Sequence, residues 1–462
     1  MRALRFTTLV CVGLAGCTGL HERNVPKTIE ATLPDHYLEQ GQAPGAVPAV
    51  DSTWRQAFGD PALDALVEQG LRNNADLAVG AARLLEARAL ATQASAARFP
   101  VIGAFLAATR QRELNPIGPG TILVEGASFG GSASFELDLW GRLNATSVAA
   151  RQRFLAQGFN FAALRLAIEA ELVRGYLQLQ AIEAQVGVLQ ESVGVLEDAL
   201  RLSEQRFEAG SIAELEDSRA RFSDSQQQAR ATRRALLIVA GLTPSPEVFA
   251  ATQIQTQPRE LASLPEIPVG LPSQLLSRRP DLRAAEAQLA GARADVAAAR
   301  RAFLPSVTLT ASGGKATQSL SSIFASGSAV WSIGADLAQT IFDGGARYAR
   351  VRIAAAQRQA LLETYRDAAR SAYRDVLDAL DARSAAVRTF EAREREARAL
   401  ERAVHLAERR YAEGYSGFLD VLDARRSLLQ SRLALAQSRS AVDIAYVSLA
   451  VALGGGWTPA GS

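Results

Sequence analysis

The stretch Phe129-Gly130-Gly131-Ser132-Ala133-Ser134-Phe135-Glu136-Leu137-Asp138-Leu139 alternates strictly between two kinds of residue. Phe129, Gly131, Ala133, Phe135, Leu137 and Leu139 share one face, and Gly130, Ser132, Ser134, Glu136 and Asp138 the other. A period of two marks an extended strand. Val307, Leu309 and Ala311 alternate in the same way with Thr308, Thr310 and Ser312, as do Trp331, Ile333, Ala335 and Leu337 with Ser332, Gly334, Asp336 and Ala338. Such strands could be half-buried in a soluble sandwich. Against that, each runs for about ten residues, the length a tilted strand needs to cross a bilayer, and its polar face is small or acidic, as a wet lumen requires. Turn formers separate the paired strands at Asn115-Pro116 to Pro119-Gly120 and at Ser326-Gly327-Ser328. Four strands per chain are expected, at about 100–112, 127–140, 304–316 and 329–342. An open four-stranded sheet in hydrocarbon leaves two unpaired edges, and each bare backbone group costs several kcal/mol, so the sheet must close with other copies. Three chains give a barrel of about twelve strands, even in number and within the known range. A homotrimer is therefore expected.

The strands belong to a chain that is written twice. Asn74-Ala75-Asp76-Leu77 opens a run that closes on Phe99-Pro100, and Arg279-Pro280-Asp281-Leu282 opens a similar run that closes on Leu304-Pro305, with Asp281 lying 205 residues after Asp76. Arg206-Phe207-Glu208-Ala209-Gly210 recurs as Arg410-Tyr411-Ala412-Glu413-Gly414 at a distance of 204 residues. Solenoid repeats run at roughly 20–50 residues, so this spacing means two large, similar halves. Each reads as short helix, two strands, long helix, second helix: 61–243 is the first repeat, 273–453 the second, and 454–462 a tail. Pro61 opens a helical run expected to reach about Arg98. Pro244, Pro246, Pro258, Pro265, Pro268 and Pro272 mark the connector 244–272, expected to be an irregular equatorial strap without helix because proline removes a donor and clashes with the preceding turn.

The long helices carry a coiled-coil pattern. Leu172, Leu179, Val186, Val193 and Leu200 recur every seven residues, with Ile182, Leu189 and Leu196 three positions on. A run from Asn144 to Phe207 would span about 95 Å at 1.5 Å per residue, longer than a globular core needs. In the last helix Val421, Leu428, Leu435, Val442 and Leu449 repeat by seven, while Ala424, Ser431, Ser438 and Ala445 stand three further on, small enough for close helix approach. A plain long coiled coil would show the same period.

Cysteine and histidine usage excludes much chemistry. Cys11 and Cys17 are the only cysteines, and His21, His36 and His405 are scattered far apart, so neither a disulfide framework nor a metal site of His and Cys ligands is expected. Met1 is the only methionine, which removes the thioether ligands of Cu(I). There is no P-loop, no GxGxxG after a strand and no GxSxG elbow, and no cofactor is expected. At the N-terminus Arg2 and Arg5 precede an apolar stretch from Leu9 to Leu14, as in a secretory signal spanning residues 1–16. Removing it takes the formal charge from +2 to 0, which gives no reason to expect a nucleic-acid partner. Leu14-Ala15-Gly16-Cys17 resembles the lipobox of bacterial lipoproteins, in which the cysteine is acylated and becomes the first residue. The plainer reading is a signal peptide with an incidental Cys17. Thr18, in place of an aspartate, is similar to outer-membrane sorting in such lipoproteins. The segment 17–60 then reads as an anchor and strap, and since one acylation signal gives only marginal anchoring, the barrel should supply permanent residence.

Leu275-Leu276-Ser277-Arg278-Arg279-Pro280-Asp281-Leu282-Arg283 with Ala284-Ala285-Glu286, followed by Ala302-Phe303-Leu304-Pro305-Ser306, resembles the hallmark of TolC-type outer membrane factors, in their NodT-like lipoprotein branch. Asp138-Leu139-Trp140-Gly141-Arg142 and Ala452-Leu453-Gly454-Gly455-Gly456-Trp457 are similar to two more of its signatures. The resemblance covers essentially the whole mature chain. It implies an α+β membrane protein: a trimeric twelve-stranded outer-membrane barrel continued by a periplasmic α-helical barrel. It implies the exit duct of a tripartite efflux pump, docked to a periplasmic adaptor and to a proton-driven inner-membrane transporter of the RND type, and no enzyme.

The same resemblance assigns the gate at the periplasmic tip. Asp420 and Asp423 match the family's acidic rings, and three copies of each would favour cations in a narrow pore. Spaced three apart on a helix, they would face one side. The plainer reading is a pair of solvated residues favoured by the helix dipole. Tyr411 and Glu216 match positions that tether neighbouring helix pairs in a closed channel, but Ser416 stands where that network has an arginine, so a looser closed state is expected. A periplasmic coiled-coil scaffold would need neither the aspartates nor the alternating strands, an outer-membrane enzyme would need a convergent cluster that is missing, and a type I protein secretion duct shares the architecture. The lipobox and Arg278-Arg279-Pro280-Asp281 favour efflux.

Overall fold

The computed structural model describes residues 54–203, 209–251, 264–265, 267, 272–318 and 327–456. All of them belong to the unit Pro34–Ser462; the other unit, Met1–Leu33, lies outside the described residues. So do Cys17, the segment 17–53 and most of the connector 244–272.

Four antiparallel strands form one sheet in the order β1-β2-β3-β4: β1 is Val101–Leu114, β2 Thr121–Leu137, β3 Ser306–Thr317 and β4 Ala329–Ala338. The pairing couples Ala133 to Ile102 and Ala311, and Ala311 to Ile333, so the odd positions of β2, β3 and β4 and the even positions of β1 share one face. That face carries Ile102, Trp331 and Ile333, which are 80%, 78% and 79% exposed in the single chain. Such exposure of large apolar side chains calls for lipid outside them. Ser132, Ser134, Ser312 and Ser332 line the opposite face, where the Ser312 and Ser332 hydroxyls lie 2.8 Å apart. A slip of one residue would turn every side chain over, so the pattern itself fixes the register.

Three strand ends differ most from expectation. β2 starts at Thr121 rather than near 127 because Thr121–Gly126 pair with Thr109–Leu114 of β1. β2 and β4 stop at Leu137 and Ala338, short of 140 and 342, because the next residues turn the chain into a helix. At the first turn the Asp138 carboxylate accepts from the Leu143 and Asn144 amides at 3.0 and 2.7 Å, capping a helix N-terminus, while Arg142 donates to both Glu136 oxygens at 2.7 and 2.8 Å. Asp343 does the same for the Gly345 and Arg347 amides, and Asp343 and Arg347 lie 205 residues after Asp138 and Arg142. The duplication is thus visible in the capping chemistry.

The helices are α1 Pro61–Asn73, α2 Ala75–Ala96, α3 Arg142–Ser203, α4 Ala209–Val239, α5 Pro246–Ala251, α6 Leu275–Arg278, α7 Pro280–Arg301, α8 Ala346–Ala412 and α9 Phe418–Ala452. The run expected from Pro61 to about Arg98 is two helices. Asn74 breaks it in an extended conformation, its side chain accepting from the Leu77 amide at 3.0 Å and donating to the Val239 carbonyl at 2.8 Å. The connector is also not free of helix: Pro246 opens α5 at a first-turn position, where its missing N–H is no loss. α3 and α8 have 62 and 67 residues, about 93 and 100 Å at the usual rise.

Toward the sheet the helices lie in the order α2, α3, α7, α8; toward the far end the order is α4, α3, α9, α8. Leu172, Leu179 and Leu189 on α3 are almost fully buried in these contacts, each worth about 1.5–3 kcal/mol. Ser431, Ser438 and Ala445 are buried along α9, and the Ser440 hydroxyl donates to the Leu177 carbonyl of α3 at 3.2 Å. In both layers the outer edges, α2 or α4 on one side and α8 on the other, have no helix beyond them among the described residues.

The Arg-Arg-Pro-Asp run pins this arrangement. Arg279 donates to Asp281 at 2.8 and 3.1 Å, to Asp375 on α8 at 3.2 Å and to the Ala452 carbonyl at the end of α9 at 3.3 Å. Gly454 (φ +98°) passes so close that a Cβ there would stand 2.6 Å from the Arg278 carbonyl oxygen, so only glycine fits. Burial opposes the charge of Arg279, but Asp281 and Asp375 outweigh it and hold its pKa above the ordinary value.

Candidate channel tip

At the end of the helices remote from the sheet, the turn 413–417 joins α8 to α9. Gly414 (φ +77°) ends α8: its amide donates to the Tyr411 carbonyl at 3.0 Å and the Tyr415 amide to the Arg410 carbonyl at 2.8 Å. This is the left-handed C-terminal cap that glycine serves best. Residues 204–208, between α3 and α4, lie outside the described residues, so the recurring Arg206–Gly210 motif is only partly placed.

Behind the turn sits an apolar plug. Leu196 of α3, Leu215 of α4 and Leu422 of α9 are 6%, 2% and 6% exposed, with Val193 and Phe418 packed on them. The ring of Tyr411 lies 5.3 Å from that of Phe418 at 53°. Ion pairs surround the plug. Arg219 of α4 bonds Glu216 at 2.8 Å and Glu197 of α3 at 2.8 Å, and these two carboxylates, Glu197 first, raise its pKa. Arg425 of α9 reaches Glu408 of α8 at 3.1 Å through its Nε. Arg432 of α9 bridges Glu191 of α3 at 3.3 Å and Glu401 of α8 at 3.0 Å; burial works against its charge, yet the two glutamates raise its pKa. Between them lies a groove of about 200 Å³ lined by residues of α3, α4, α8 and α9, including Val188, Val195, Glu214 and Val404.

Asp420 and Asp423 are exposed one turn apart at the start of α9. They are not equivalent: Asp423 pairs with Arg426 at 2.7 Å, which offsets part of its charge. The spacing of three that places the aspartates together also places Arg426 beside Asp423, a signal present in the sequence. Tyr411 and Glu216 lie at opposite edges of the layer, on α8 and α4, and Glu216 bonds Arg219. The Ser416 hydroxyl is buried with no hydrogen-bond partner among the described residues. The bridging role of Arg432 is the feature sequence reasoning missed; only its heptad flank position hinted at it.

Among the described residues no helix is long and apolar enough to cross a membrane, which says nothing of the strands. The profile of the outer membrane efflux protein family matches residues 66–243 and 271–455. The chain is 35% identical over 420 residues to the pyoverdine export outer membrane protein OpmQ of Pseudomonas aeruginosa, covering 87% of each. It is 31% identical over 459 residues to the solvent efflux pump outer membrane protein SrpC of Pseudomonas putida, covering 96% of each. The solved outer-membrane channel OprN superposes with a TM-score of 0.84 at 29% identity, over 94% of this chain and 99% of that one. The four-stranded sheet is one part of a trimeric outer-membrane barrel that long helices continue into the periplasm. The chain belongs to the outer membrane efflux protein family.

Proposed function

We propose that three copies of this chain form the outer-membrane exit duct of a tripartite pump, receiving small molecules from a periplasmic adaptor and an inner-membrane transporter of the RND type. The observation that carries this is that sheet and helix layers are both open at matching edges, β1 with α2 or α4 and β4 with α8. One rotation closes both into a continuous pipe. Relatives named for pyoverdine, solvent and toluene export support small organic substrates over the protein cargo of a type I system. Conduction and gating, with no catalysis, are the activity.

The gate lies at the tip. Asp420 and, more weakly, Asp423 form the constriction rings, and Tyr411 meets Glu216 of the next copy, since the two cannot meet within one strip. With Ser416 in place of an arginine, the closed state rests mainly on packing of the apolar plug. Acylation of Cys17 adds a second anchor. Expression in a host lacking its own exit duct, together with candidate adaptor and transporter genes, tests the function. Restored tolerance to organic solvents or drugs is expected; a purified protein that is monomeric and forms no conducting pores in planar bilayers would overturn it.

A further inference from the structure

We infer that the copies are locked together by a ladder of ion pairs between the outer edge of α8 and the outer edge of the next copy's α4, a contact resting on the three-copy closure above. Arg388, Arg395, Arg402 and Arg409 stand at every seventh position of α8 and are all exposed. Ala385, Ala392 and Ala399 fill the position three before each of the first three. The buried stripe of α8, Ala397 and Val404, faces the chain's own helices, so the arginine stripe points away from them. This is a second heptad seam, alanine and arginine, with no occupant in the single chain.

The facing edge supplies what the stripe lacks. On α4 the buried stripe is Leu215, Ser218 and Leu236, and the opposite side exposes Asp217 and Asp224, seven apart, with Ala213 and Ala220 four positions before each. Arg402, Arg409 and Asp224 have no ion pair among the described residues, Arg395 reaches Glu391 only at 4.0 Å, and Asp217 holds Arg221 at 2.8 Å within its own helix. Levels agree as well. Contacts across the strip, Arg219 to Glu197, Arg432 to Glu191 and Arg432 to Glu401, set the helices in register. Carried along them, Asp224 stands level with Arg402 of α8, and Asp217 with Arg409. Every copy shares these levels under rotation about one axis, so the two aspartates of one copy meet two arginines of the next.

Closure buries the alanine positions and removes water from the arginines, and an unpaired charge there would oppose assembly. The paired ladder instead favours one register and one partner edge. It also restores, one to three turns above the tip, the pairing that Ser416 cannot provide.

Charge reversal tests the ladder. Asp224→Arg and Arg402→Glu are each expected to lower the temperature at which the detergent-solubilised trimer dissociates on gels by several degrees, and to do so less at high salt. Combining them should recover at least half the loss. A combined variant no more stable than the worse single one overturns the ladder. A parent protein already monomeric in detergent overturns the three-copy reading instead. If reversal blocks assembly, Asp224→Asn and Arg402→Gln serve: the ladder requires that both weaken the salt dependence of dissociation, and a dependence equal to the parent's refutes it.

Discussion

Replacing Arg279 by Ala removes four hydrogen bonds at once. The side chain is 15% exposed, and its partners Asp281 and Asp375 are 48% and 39% exposed. A hydrogen bond to a charged group contributes about 1.5–3 kcal/mol, and removing one partner of a fully buried pair costs about 3–5 kcal/mol. Here both acids can be rehydrated, so solvent screening discounts the sum. A net loss of about 2–3 kcal/mol follows, less than the bonds counted singly suggest. Spread over a chain of this length, that loss lowers the melting midpoint by roughly 2–3 °C. Circular dichroism of the helices in detergent, heated at a fixed rate, reads the change. Arg279→Lys keeps the charge but loses the planar fork that serves Asp281 and Asp375 together, so it should recover less than half. Melting of the Ala variant within about 1 °C of the parent, or a Lys variant equal to it, would refute the pin.

Leu422→Ala empties part of the apolar plug and should cost about 2–4 kcal/mol locally; a higher basal conductance of the purified channel is the readout. Tyr411→Phe deletes only the hydroxyl proposed to reach Glu216 of the next copy, and unchanged open probability would remove that tether. Asp420→Asn should lower cation preference in reversal-potential measurements, whereas Arg426→Gln, which frees Asp423, should raise it; equal effects of one sign would contradict the acidic ring. Glu169, buried beside Arg55, has its pKa raised above the ordinary 4.5, burial outweighing the attraction of Arg55. The folded state then holds the proton more tightly than the unfolded one, so stability present below pH 4.5 is lost as pH rises through the folded value. Glu169→Gln should flatten the stability profile above pH 4.5, measured by denaturation at stepped pH.

Period-two alternation located β3, β4 and the inner half of β2, since each has one face in lipid and one in water. The outer half of β2 was hidden because Ile122-Leu123-Val124 is a continuous apolar run without alternation. Asn74 breaks a helix through a bond to Val239, a partner 165 residues away that no local pattern reveals. Pro246 read as a helix breaker because its position relative to a first turn depends on where the helix starts. The heptads of α3 and α9 told which faces are buried. At the tip the sequence offered both aspartates, but which of them carries an offset charge depends on Arg426, and the Arg432 bridge joins three helices that meet only in the fold.

The Arg279 pin also marks a pivot. From Asp375 to the end of α8 the helix runs 37 residues, a rigid arm of about 55 Å. Tilting that arm by about 5° at the pin swings its free end by roughly 5 Å, close to the width of a side chain. On the gate proposed above, leverage alone would work the aperture: a modest push near the equator would displace Tyr411 and Asp420 while every backbone bond of the shaft stays intact.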